Sequence, residues 1–70
     1  MLMLNIDAEK LSDLLSQRGW SQQRLAEEIS VNPSYVSLVV NQRRNPSSRF
    51  VSGVLRVFPS VRFEELFKVS

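Results

Sequence analysis

The stretch Gly19–Asn41, reading GWSQQRLAEEISVNPSYVSLVVN, constrains the fold more than any other part of the chain: it holds two helical patterns separated by a turn of about four residues. In the first pattern Leu25, Ala26 and Ile29 are the residues to be buried. In the second, Val36, Val39 and Val40 fall at i, i+3 and i+4 and make one apolar face, while Ser34, Ser37, Leu38 and Asn41 occupy the opposite one. Pro33 stands in the first turn of this second helix, where its missing N–H costs nothing and its fixed φ favours the start. Two short amphipathic helices joined this tightly form a helix-turn-helix.

The rest of the chain repeats the same local devices. Three helix starts combine an apolar residue, a capping side chain and an apolar partner one turn on: Ile6-Asp7 with Leu11, Trp20-Ser21 with Leu25, and Val31-Asn32 with Val36. Each is a hydrophobic staple. The first helix continues through Leu14 and Leu15 and stops at Gly19, which can take the left-handed conformation that ends a helix. After the polar loop Gln42-Arg43-Arg44-Asn45, the segment Asn45-Pro46-Ser47-Ser48 offers several competing caps for a fourth helix. That helix carries Phe50, Val51, Val54, Leu55 and Phe58 on one face and ends at Pro59. Ser60 is placed to cap a fifth, short helix with Phe63, Leu66 and Phe67 on one face. The expectation is an all-α, compact five-helix domain spanning residues 1–70, with no strand signal, repeat or linker. Met1-Leu2-Met3-Leu4 lacks a basic flank, and Asp7 and Glu9 follow too soon for a signal peptide or membrane span; it reads as a short extended lead-in.

Composition excludes several kinds of chemistry. Seventy residues lie near the lower end of what a single core holds together unaided. Without Cys or His, disulfides, zinc sites built on those ligands and imidazole-based nucleophile activation are all ruled out. The adjacent pairs Glu27/Glu28 and Glu64/Glu65 do not face one site on a helix, and no base is available for any serine, so an enzyme is not expected, nor any cofactor or metal. Composition fits a soluble protein of a reducing compartment, the cytoplasm of a prokaryote or of a phage or plasmid host.

Net charge is only +2, but it is unevenly placed: residues 1–31 set Lys10, Arg18 and Arg24 against five acids, net −2, and residues 32–70 set six cations against Glu64 and Glu65, net +4. The positive part follows the second helix of the motif, a polarity that suits a partner carrying phosphates on one side. The outward face of that helix carries no charge at all. A helix that is merely solvated normally shows Lys and Glu there, whereas one lying in the DNA major groove needs short donors, acceptors and methyl contacts for base edges.

Leucines on the first helix, then G-W-S-Q-Q-x-L-A-E-x-I, a turn, and N-x-S-x-V-S-x-V-V-N-x-x-R together resemble the Cro-type, lambda-repressor-like family of helix-turn-helix DNA-binding proteins (XRE type). The likeness covers essentially the whole chain, with Gln22, Ala26, Val36 and Asn41 at family spacing. It implies five helices and a regulator, expected to be a repressor, that binds an inverted-repeat double-stranded operator as a homodimer. Carried over position by position, Gln22, Asn32 and Asn41 are implied to contact phosphates, and Ser34, Ser37 and Leu38 to face base edges. Tyr35 is implied on the flank of the reading helix, where its hydroxyl reaches a phosphate or its ring only packs. Arg43, Arg44 and Arg49 are implied along the DNA backbone or minor-groove edge; a plain solvated charge run is the alternative. Phe63, Leu66 and Phe67 on the last helix are implied at the two-fold interface, with core packing as the competing use. Trp20 fits the staple better than a stacking platform for single strands. One residue departs from the family: the turn position commonly held by Gly is Ser30, so that either this site is strained or the turn differs. The rival readings are a protein-interaction module of the same fold, and the DNA-binding part of an antitoxin or of a longer regulator.

Overall fold

Helix boundaries in this chain are fixed at both ends by side chains and backbone groups that the sequence supplies locally. The computed structural model describes residues 4–69, in the order β1 (Leu4–Ile6), α1 (Ala8–Arg18), α2 (Gln22–Ile29), α3 (Pro33–Val40), α4 (Ser48–Val57), α5 (Phe63–Leu66) and β2 (Phe67–Val69). Asp7, Ser21, Asn32 and Ser47 sit at the N-caps of α1 to α4 in extended conformation. Their side chains accept from the amides of Lys10, Arg24, Ser34 and Phe50 respectively, which pairs one otherwise orphaned donor in each first turn.

The C-terminal ends of α1, α2 and α3 share a second device. In α1 the amide of Trp20 bonds the carbonyl of Leu15 while that of Gly19 bonds Ser16; in α2 Val31 bonds Ala26 while Ser30 bonds Glu27; in α3 Arg43 bonds Leu38 while Gln42 bonds Val39. These are three Schellman motifs. Each needs a left-handed residue, supplied by Gly19 at φ 68°, Ser30 at φ 60° and Gln42 at φ 61°. The strained alternative for Ser30 is therefore the one the fold adopts, and Gln42 repeats it at a position with no sequence signal.

The core joins Leu11, Leu14 and Leu15 of α1, Leu25, Ala26 and Ile29 of α2, Val36 and Val39 of α3, Phe50 and Val54 of α4, and Phe58, which caps α4. Where α2 meets α4 the approach is set by Gly53: a Cβ there would stand 2.7 Å from Cβ of Ile29, closer than side chains pack. Val40 is only half-buried at the edge of the apolar face of α3.

The ends of the chain depart from the sequence reading. Leu4–Ile6 and Phe67–Val69 pair as a two-stranded antiparallel sheet, Leu4 opposite Val69 and Ile6 opposite Phe67, and the amide of Asp7 extends the link to the carbonyl of Leu66 at 2.7 Å. The extended lead-in at Leu4 is thus one strand of a ladder; Met1-Leu2-Met3 lie outside the described residues. The N-cap of α5 is Arg62 rather than Ser60, with the Arg62 amide donating to Oε1 of Glu65 at 3.0 Å. Phe67 belongs to β2, not to α5, because the chain turns extended there to meet β1. Among the described residues no helix is long and apolar enough to cross a membrane.

Candidate nucleic-acid interface

Alternation of buried and exposed positions along α3 fixes what that helix offers to a partner. Val36 and Val39 are fully buried, which turns Ser34, Leu38 and Asn41 outward; all three are exposed and none is charged. Ser37 lies on one flank, half-buried, and accepts a 3.4 Å hydrogen bond from Nδ2 of Asn41. Tyr35 lies on the other flank, half-buried. The outward strip therefore combines a hydroxyl, a branched apolar tip and a terminal amide, the side-chain types that meet base edges and thymine methyls.

Two clefts border this strip. On the side of α1, Gln22 and Val40 line a cleft together with Ser12, Ser16 and Trp20, so the N-terminus of α2 stands beside the C-terminal end of α3. Gln22 is exposed at the first position of α2, among amides that point outward and favour an anion. On the other side, Ser30, Asn32, Tyr35, Arg44, Ser47 and Arg49 surround an open cleft between the turn before α3 and the start of α4. Arg43, Arg44 and Arg49 are all exposed, and no ion pair among the described residues uses them. Asn32 spends its Oδ1 on the Ser34 amide at 2.8 Å as the helix cap, which leaves its amide NH2 as the group that can donate. Positive side chains are thus brought to one flank of an uncharged helix face.

Three expected site residues make their contacts within the chain, the packing use that the sequence left open for each. Tyr35 has a single hydroxyl proton, and it goes to the carbonyl oxygen of Asn45 at 2.8 Å, while the Tyr35 hydroxyl oxygen accepts from the Ser47 amide at 2.7 Å. The hydroxyl thus ties α3 to the following loop within the chain. Leu66 and Phe67 are 0% and 2% exposed: they are core residues, because the β1–β2 ladder folds the end of the chain inward. Only Phe63 of that trio reaches the surface, at 39% exposure, stacked on Phe67 with ring centroids 5.2 Å apart. Val69, at 59%, is exposed near the same end of the molecule.

Trp20 packs against the core. It is half-buried, lies 6.0 Å from Phe58, and the guanidinium groups of Arg18 and Arg24 cover its ring at 5.0 and 5.3 Å. These neighbours use the ring for packing within the chain. The residues the sequence reading missed are Asn45 and Ser47 as partners of Tyr35, whose bonds cross ten and twelve residues. Among the described residues no group of three or more carboxylates could hold a metal ion.

Comparison with known proteins bears on the fold. A family model described as helix-turn-helix matches residues 11–66, from the first core leucine of α1 to the last residue of α5. No curated protein and no solved structure matches the chain.

Proposed function

Since the chain belongs to the XRE-type (Cro-type) helix-turn-helix family of DNA-binding regulators, we propose that it is a repressor that binds an inverted-repeat operator as a dimer, with α3 in the major groove. The observation that carries this is the uncharged outward strip of α3, Ser34, Leu38 and Asn41, bordered by Gln22 on one side and by Arg44 and Arg49 on the other. Phosphate contacts position a protein on DNA and base-edge contacts specify the site. In this reading Gln22, Asn32, Asn41, Arg43, Arg44 and Arg49 belong to the first group and Ser34, Ser37 and Leu38 to the second. Serine hydroxyls donate or accept, so part of the specificity comes from duplex shape and bridging water. The whole chain acts as one such unit, in the cytoplasm.

The two-fold surface is assigned to the end of the molecule where Phe63 and Val69 are exposed, with Leu66 and Phe67 as its buried support. Two copies joined there present two reading helices to successive major grooves, about 34 Å apart for half-sites one turn of DNA apart. A concentration series in sedimentation, free and on an inverted-repeat duplex, tests the dimer, and a strict monomer in both conditions rules it out.

Substitution separates the two groups of contacts. Leu38→Ala or Ser34→Ala relaxes base preference at the contacted positions, where a mismatch normally costs about 1–3 kcal/mol. Arg43→Ala weakens all duplexes alike and lowers the salt slope by about one phosphate contact. An Arg43→Ala variant that changes preference between sites and keeps the salt slope contradicts the assignment.

A further inference from the structure

From the hydrogen bonds that cross from α3 to the next loop we infer that Tyr35 is a positioning residue for DNA binding: it fixes the arginine-bearing loop 42–47 against the reading helix without itself touching DNA. The inference rests on the DNA-binding reading above and names how that site is held in place.

The loop leaves α3 through the left-handed Gln42, and the Arg43 amide closes back on the Leu38 carbonyl at 2.8 Å. From there the chain must cross to Ser47, whose hydroxyl caps α4 by accepting from the Phe50 amide at 3.2 Å. Pro46 has no N–H to offer in between. The Tyr35 hydroxyl supplies the tie, giving its proton to Asn45 and receiving that of Ser47. Its own position is set by the core, since the ring meets the fully buried Phe50 edge-on, with centroids 5.9 Å apart. One side chain rooted in the core therefore holds the far end of the segment that presents Arg44, Asn45 to Ser47, against α3, while the backbone bonds of Gln42 and Arg43 hold its near end.

The consequence is energetic. An arginine on an unrestrained loop must be ordered when it meets a phosphate, and that ordering subtracts from affinity; a loop already held in place avoids most of it. Phosphate contacts carry no sequence information, so the effect falls equally on every duplex.

The test uses Tyr35→Phe, which keeps the ring and removes only the hydroxyl. Binding to a preferred and to an arbitrary duplex is measured across a salt series for the wild type, Tyr35→Phe, Arg44→Ala and the double variant. The expected result for Tyr35→Phe is a loss of about three- to tenfold on both duplexes, a salt slope lower by up to about one contact, and an unchanged ratio between the duplexes. In the Arg44→Ala background the same change does much less, because the two residues act through one contact. Amide exchange provides a second readout, with Ser47 losing protection in Tyr35→Phe. Wild-type affinity and slope in Tyr35→Phe, alongside the expected loss in Arg44→Ala, overturn the positioning role and leave the DNA-binding reading intact. A changed ratio between duplexes overturns it as well, since the hydroxyl then bears on base readout. An Arg44→Ala variant that binds like the wild type at all salt concentrations overturns both the proposal and the arginine-loop reading beneath it.

Discussion

Replacing Ser30 by glycine should stabilise this protein, and the size of the gain follows from the backbone. Ser30 ends α2 at φ 60° and ψ 46°, a left-handed conformation that its amide bond to Glu27 and the Val31 bond to Ala26 require. A side chain there costs about 1–2 kcal/mol from the approach of Cβ to the carbonyl oxygen. Glycine removes that cost but brings about 0.5–1 kcal/mol of extra unfolded-chain entropy. The side chain is exposed and its hydroxyl makes no hydrogen bond among the described residues, so nothing else is lost. The net gain is about 0.5–1 kcal/mol, which for a domain of this size raises the melting midpoint by roughly 2–8 °C. Gly19 is the natural control. It occupies the same position at the end of α1, at φ 68°, with nothing within 4 Å of where a Cβ would stand. Gly19→Ser should therefore cost about what Ser30→Gly gains. The assay is urea and thermal denaturation followed by helical circular dichroism, with an unchanged slope m confirming that the native state is being compared like for like. If Gly19→Ser is destabilising and Ser30→Gly leaves the midpoint unmoved or lowers it, the left-handed geometry is not what costs stability at Ser30, and the reasoning fails.

Further expectations follow from packing. Gly53→Ala places a methyl 2.7 Å from Cβ of Ile29; overpacking costs about 1–3 kcal/mol, only partly offset by about 1 kcal/mol of helix propensity, so the denaturation midpoint should fall. A midpoint that rises means α2 and α4 separate freely at this crossing. Phe67→Ala, deep in the core at 2% exposure, should cost about 3–5 kcal/mol and leave little folded protein. Phe63→Ser removes a part-exposed ring and its stacking on Phe67, so it should cost less, about 1–2 kcal/mol, and weaken self-association in sedimentation. Equal loss of stability in both variants contradicts the division between core and surface.

What the sequence discloses about this fold is what is decided within one or two turns. The caps Asp7, Ser21 and Asn32, and the burial of Leu11, Leu25 and Val36 one turn on, are legible because each cap and the residues it orders lie within a few positions of each other. Gly19 is legible as a helix stop because glycine advertises the left-handed conformation, whereas Gln42 adopts the same conformation with no such mark. The strands escape notice because three residues are too few to show alternation, and because Leu4–Ile6 pairs with a segment at the far end of the chain. The same pairing draws Phe67 out of the helical pattern and into the core, which periodicity alone assigns to a helix face. Gly53 reads as a blemish in α4 until Ile29 is seen opposite it. At the candidate interface, the outward strip of α3 was legible from its period, but the tie from Tyr35 to Asn45 and Ser47 spans a loop and leaves no local pattern.

Selection of binding sites from a random duplex pool, repeated at two salt concentrations, tests the central claim most directly. The account predicts recovery of a short inverted repeat whose half-sites keep their preference as salt rises while overall affinity falls. Recovery of no motif, with binding that vanishes at the higher salt, would contradict it, leaving only nonspecific attraction to phosphates and moving the protein-interaction reading to first place.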